Sequence, residues 1–225
     1  MPATLAFDVY GTLIDTHGVI LNLEGMIGNK AADFSQTWRE KQLEYSFRRG
    51  LMQNYVNFGV CTSQALDYTC QFYQLALSDA QKLELLECYK TLPAFPDVLQ
   101  CLTRLQQAGL RLFAFSNGSE EAVEGLLEHA QIRQLFSGVV SCDDIRSFKP
   151  NPASYAHFLR KSGATGDSAW LISSNPFDVI GARSAGMHAA WVQRSSAAVF
   201  DPWEIEPTAT IGNLADLNEK LLADQ

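Results

Sequence analysis

Several short apolar runs recur along the chain, separated by longer stretches that read as helical: Leu5 to Tyr10, Leu110 to Phe115, Gly138 to Ser141, Ala169 to Ser173 and Ala189 to Val192. Such an alternation predicts a parallel sheet covered by helices, an α/β fold. Most of the runs end in small or polar residues, among them Asp8-Val9-Tyr10-Gly11, Ser116-Asn117-Gly118 and Ser173-Ser174-Asn175. In open α/β sheets ligands bind beyond the carboxyl ends of the strands. These three segments are therefore expected to converge on one site.

About ninety residues separate the first two runs, far more than a crossover helix needs, and this predicts an inserted subdomain. The insertion reads as helical. Ala31 to Arg49 carries Phe34, Trp38, Leu43, Phe47 and Leu51, and two further helices are expected over Ser63 to Leu77 and Ser78 to Tyr89, capped by Ser63 and Ser78. Leu92-Pro93-Ala94-Phe95-Pro96-Asp97 marks the return to the sheet. The division expected is 1–14 and 98–225 as core, with 15–97 as insertion.

Composition narrows the function. A chain of 225 residues with 47% hydrophobic and 19% charged positions suits an ordinary globular protein of one or two domains, with disorder expected only at the ends. No signal peptide or membrane span is expected, which makes the cytoplasm the default location. Five cysteines, odd in number and without C-x-x-C spacing, read as reduced thiols rather than a disulfide framework or a zinc site. A net charge of −8 argues against nucleic-acid and anionic-membrane partners. An anionic substrate would have to be held locally, which draws attention to Arg39 and Lys149.

Asp8 follows an apolar strand and precedes a turn containing Gly11, so it reads as a carboxylate held at a strand mouth, where it can act as a nucleophile, or as a turn aspartate. Thr12 can bond that carboxylate, a ligand or local backbone. Ser116-Asn117-Gly118, before a helix starting near Ser119, offers N–H and side-chain donors for a small anion, or a plain capping turn. Pro150 keeps Lys149 out of helical geometry, and the loop can turn its ammonium inward, with Tyr155 placed to orient it. Asp178, three residues after Asn175, can position or deprotonate water, or simply favour a helix N-terminus. Arg39 has no acidic neighbour at three or four residues and heads a face continued by Leu43 and Phe47; it is poised for a ligand anion unless it snorkels to solvent.

Together, Phe7-Asp8-Val9-Tyr10-Gly11-Thr12-Leu13, Ser116-Asn117-Gly118, Lys149-Pro150 and Ser173-Ser174-Asn175-Pro176-Phe177-Asp178 resemble the four ordered motifs of the haloacid dehalogenase superfamily. Trp38 to Phe47 is similar to the cap-helix signature of its L-2-haloacid dehalogenase branch. The resemblance spans Phe7 to about Val192 and implies a Rossmann-like core under a helical cap. It implies Asp8 as nucleophile, Arg39 as halide acceptor, and Ser116 and Asn117 as holders of the substrate carboxylate, with Thr12 nearby. By the same resemblance Lys149 stabilises the charge on Asp8, Ser173, Asn175 and Asp178 set up the hydrolytic water, and Tyr10, Leu43, Phe58 and Phe177 wall the pocket. Pro176 and Glu40 sit where variation is expected and leave pocket size open. The implied partners are a small 2-haloacid and the released halide, with no cofactor; a homodimer is compatible with the sequence, which does not reveal the assembly.

Tyr10 stands where the superfamily's phosphatases carry a second acid. A phosphatase needs that acid to protonate a leaving alkoxide, and Mg²⁺ to bring a carboxylate to a phosphate dianion; a halide leaves without a proton. Ser174-Asn175 likewise replaces an acidic stretch. The rival readings are a Mg²⁺-dependent phosphatase of the same fold and a catalytically silent binding protein.

Overall fold

The computed structural model describes residues 3–217. Six parallel strands form a single sheet in the order β3-β2-β1-β4-β5-β6. They are β1 (Thr4–Asp8), β2 (Arg111–Ser116), β3 (Gly138–Ser141), β4 (Ala169–Ser173), β5 (His188–Val192) and β6 (Ala209–Ile211). All five residues of β1 are buried, as expected of a central strand covered on both faces. Successive side chains face opposite sides: Leu5 and Phe7 join the apolar cluster on one face, whereas Ala6 joins Phe113, Phe115, Phe158 and Leu171 on the other. The expected α/β architecture, Rossmann-like in its parallel sheet, is observed.

Four helices lie between β1 and the next core helix, α5 (Val98–Gln107): α1 (Val19–Ile27), α2 (Ala31–Leu51), α3 (Phe58–Phe72) and α4 (Asp79–Cys88). The remaining helices, α6 (Glu120–His129), α7 (Pro152–Ser162) and α8 (Pro176–Ser184), alternate with strands. The chain leaves the sheet and returns through an antiparallel bridge between Ile14 and Ala94, closed by Asp15 N–H to the Pro93 carbonyl and Phe95 N–H to the Leu13 carbonyl, both 2.9 Å.

Two expectations for the insertion need correction. The helix expected from Ser63 starts earlier, because the Asn57 side chain accepts from the Val60 N–H at 3.0 Å and caps it, and Ser63 lies inside α3. It ends at Phe72 rather than Leu77, as Gln74 adopts a left-handed φ of 53°. Ser78 does cap α4, with a reciprocal bond from Gln81. In α2, Leu51 is 86% exposed, and the buried row is Phe34, Trp38, Gln42 and Ser46. The expected strand over Leu5 to Tyr10 stops at Asp8, where the chain turns: the Val9 carbonyl accepts from Thr12, Leu13 and Ile14 N–H. β6, three residues with one buried, is too short to register as an apolar run. The expectation about the chain ends lies outside the described residues. No helix among those residues is long and apolar enough to cross a membrane.

Candidate active site

Asp8 ends β1 and is 7% exposed, with a donor on each carboxylate oxygen. Lys149 Nζ donates to its Oδ1 at 2.8 Å. Three side chains donate to Oδ2: the Thr12 hydroxyl at 2.8 Å, Asn175 Nδ2 at 2.8 Å and the Ser173 hydroxyl at 3.3 Å. The segments after β1 and β4 thus meet at one carboxylate, as expected from their shared placement at strand ends. Gly11 makes the turn possible with φ +85°. Thr12 is fixed in turn by the Ser174 N–H, which donates to its Oγ1 at 2.8 Å.

Lys149 is 2% exposed and has all three ammonium protons committed: to Asp8, to Asp178 Oδ2 at 2.7 Å and to the Phe115 carbonyl at 3.1 Å. Burial alone would lower its pKa, but the carboxylates of Asp178 and Asp8 outweigh that and hold the proton more tightly than usual. Asp178, fully buried, is shifted upward by burial; Lys149 opposes the shift, and the negative charge of Asp8 adds to it. One cation thus faces two carboxylates, and burial makes the Asp178 carboxyl easier to protonate than usual.

Tyr155 corrects an expectation. Its hydroxyl donates to Asp178 Oδ1 at 2.8 Å and does not touch Lys149, so it orients the carboxylate instead. Burial, then Asp178, pushes the phenol well above its ordinary value and keeps it a donor. Gly181 makes room for it: a Cβ there would lie 2.2 Å from the Tyr155 hydroxyl oxygen.

Arg39 is not free of local partners, as its neighbours at three and four residues suggest. Its Nη1 donates to Gln42 Oε1 at 2.7 Å and its Nη2 to the Tyr10 carbonyl at 3.3 Å. Gln42, 1% exposed, is itself anchored by donating to Thr62 Oγ1 at 2.5 Å. Sequence reasoning misses Gln42; its signal is a polar residue falling in the buried row of α2.

The anion site expected at Ser116-Asn117-Gly118 is partly used up internally. Ser116 Oγ accepts from the Gly118 N–H at 3.0 Å, and Asn117 Oδ1 from the Lys149 N–H at 2.8 Å. The Ser116 O–H and the Asn117 Nδ2 amide donate to no partner among the described residues, and these are side-chain donors left for an anion.

Cavities flank the cluster. One of about 310 Å³ is lined by Tyr10, Gln42, Phe58, Thr62 and Gly118. Burial pushes the Tyr10 phenol up to about 12, against the pull of Arg39, so it is a neutral wall. A second, of about 600 Å³, is lined by Arg39, Ser174, Asn175 and Arg194. Phe177 lines a third, of about 550 Å³, with Phe47, Phe148 and Lys149; it meets Phe47 edge-on with ring centres 4.9 Å apart. The expected wall residues are therefore divided, Tyr10 and Phe58 from Phe177, and half-buried Leu43 lines none of the three.

The parallel sheet thus brings a buried aspartate, a lysine, and hydroxyl and amide donors together at its carboxyl edge. The haloacid dehalogenase-like hydrolase family matches residues 2–186, and the chain belongs to it. It is 37% identical over 207 residues to haloacetate dehalogenase H-2 of Moraxella sp. (strain B), covering 92% of each chain. It is 34% identical to an (S)-2-haloacid dehalogenase of Pseudomonas putida, with 97% of this chain and 96% of that one covered. It also superposes on the L-2-haloacid dehalogenase of Xanthobacter autotrophicus with chloropropionic acid covalently bound, at TM-score 0.92 and 31% identity, covering 99% of both chains.

Proposed function

We propose that the protein hydrolyses short-chain L-2-haloacids, haloacetates included, to D-2-hydroxyacids through an aspartyl ester on Asp8. The observation that carries this reading is the asymmetry of the Asp8 carboxylate. Oδ1 has only Lys149 and keeps lone-pair density for attack on C2, while Oδ2 has three donors. When Oδ1 displaces the halide, Oδ2 becomes the ester carbonyl oxygen. Water then adds to the ester carbonyl carbon, and Thr12, Ser173 and Asn175 stabilise the negative charge that develops on Oδ2. Asp178 takes one water proton; the Cγ–Oδ1 bond then breaks, Oδ1 leaves on C2 as an alkoxide that takes this proton back to become the product hydroxyl, and the second water proton passes to solvent as Asp8 is released as a carboxylate.

Arg39 receives the departing halide from above Tyr10, and Ser116 and Asn117 bind the substrate carboxylate. Residues 15–97 act as a cap over this site. The relatives' names favour this reading over a phosphatase, as does an uncharged Tyr10 beside the nucleophile, and the balance of charge asks for no metal. Five cysteines, odd in number and without C-x-x-C spacing, fit a reducing, cytoplasmic setting.

Halide release tests the reading, measured after exhaustive chelation with chloroacetate, fluoroacetate and each enantiomer of 2-chloropropionate. The S enantiomer should react faster and give the R hydroxy acid, because back-side attack inverts C2 and ester hydrolysis never touches it. Activity lost on chelation and restored by Mg²⁺, or retention at C2, would contradict the mechanism.

A further inference from the structure

Arg194 lies two residues beyond β5, outside the motifs, yet its guanidinium joins three separate stretches of chain. Nη2 donates to the Thr12 carbonyl at 2.6 Å, Nη1 pairs with Asp97 Oδ2 at 2.7 Å, and the group lies 4.1 Å from the centre of the Phe95 ring. Asp97 Oδ2 also accepts from the Leu214 N–H at 2.7 Å. Thr12 is in the turn by which the chain leaves the sheet, and Phe95 and Asp97 are in the segment by which it returns, so this single cation grips both sides of the crossing.

The geometry is not that of an ordinary ion pair. An arginine serving only its carboxylate would form two parallel bonds and satisfy both oxygens. Here Arg194 Nε and Asp97 Oδ1 are buried without a partner among the described residues, because the second amine reaches the Thr12 carbonyl instead. Unpaired buried groups cost stability, and the arrangement that accepts this cost fixes the backbone of Thr12. Thr12 is thereby held at both ends, its carbonyl by Arg194 and its hydroxyl between Asp8 Oδ2 and the Ser174 N–H.

We propose that Arg194 is a positioning residue for the hydrolytic step: it clamps the crossing so that the Thr12 hydroxyl stays on the oxygen of Asp8 that becomes the ester carbonyl. The inference rests on the dehalogenase reading above. Ester formation uses the other oxygen, so loss of the clamp slows breakdown of the ester more than its formation.

The test compares wild type, Arg194→Lys and Arg194→Met on (S)-2-chloropropionate, with Arg133→Met as a control for loss of a partly exposed arginine pair outside the site. Folding is checked by circular dichroism. Displacing one of three donors should lower kcat about tenfold, short of the ~10²–10³ for removing an oxyanion donor outright, with KM little changed. Quenched samples should show more ester on the Asp8 peptide by mass spectrometry than wild type does. Arg194→Lys keeps the charge opposite Asp97 and should show the same defect in milder form. Folded Arg194 variants whose kcat and ester occupancy match wild type, or match Arg133→Met, would overturn the clamp. If wild type itself neither releases halide nor carries ester, the reaction fails and not the clamp; a crystal structure of Arg194→Lys then decides, with the Thr12 hydroxyl displaced from Asp8 supporting it and unmoved overturning it.

Discussion

At the scale of single residues, the arrangement turns on donors matched to one carboxylate, and geometry matters as much as charge. Arg39 presents one amine to Gln42 and another to the Tyr10 carbonyl, a split that a compact ammonium cannot reproduce. Arg39→Lys should lower turnover about 10- to 100-fold, the rate equivalent of one charged hydrogen bond, with a native-like circular dichroism spectrum. An unchanged rate would remove the halide assignment. Asp178 has to be ionised to accept the water proton, and burial raises its carboxyl above the ordinary 3.8. Halide release should therefore fall as the pH drops through a value above 3.8, and Asp178→Asn should abolish most turnover. The sign for stability is opposite: the fold binds that proton more tightly than the unfolded chain, so the contribution is full in acid and lost as pH rises through the raised value. Thermal melts of wild type and Asp178→Asn across that interval check it. That Asp8 and Asn175 would meet was legible because one ends β1 and the other follows β4, and Lys149 lies in the loop after β3; Tyr155's partner was not, since Asp178 is twenty-three residues away in sequence and only the packing of α7 on α8 joins them.

At the scale of elements, that packing depends on a missing side chain. A Cβ at Gly181 would lie 2.6 Å from Tyr155 Cζ as well as against the hydroxyl, so Gly181→Ala must push the phenol away from Asp178. Overpacking of this kind costs about 1–3 kcal/mol, to be read by denaturant melts, and turnover should fall with it. Unchanged stability and rate would show that the two helices shift apart freely. Helix phase was the least legible feature. Ser63 and Asn57 are both good capping residues, and only the tertiary burial of Phe58 and Cys61 places the start at the earlier one. The strands were easier, because sequences buried on both faces leave little choice of register.

At the scale of the whole molecule, a chain of net charge −8 is proposed to bind an anion that its overall field repels. In the proposed mechanism the conflict is met locally: Lys149 pairs with two carboxylates, leaving Arg39 and neutral donors for the ligand's charge. The long helical stretch between β1 and β2 was legible from its length alone. The crossing that Arg194 holds was not, because it joins Thr12, Asp97 and Leu214, whose proximity exists only once the sheet is assembled.

Covalent attack by Asp8 would transfer one of its own oxygens to the product, and that oxygen can be followed. In a single turnover in ¹⁸O-water, with enzyme in excess over (S)-2-chloropropionate, the hydroxy acid should be unlabelled at its hydroxyl and the Asp8 peptide should gain one ¹⁸O by mass spectrometry. Label in the product hydroxyl with an unlabelled Asp8 peptide would mean that water attacks C2 directly, and would contradict the account.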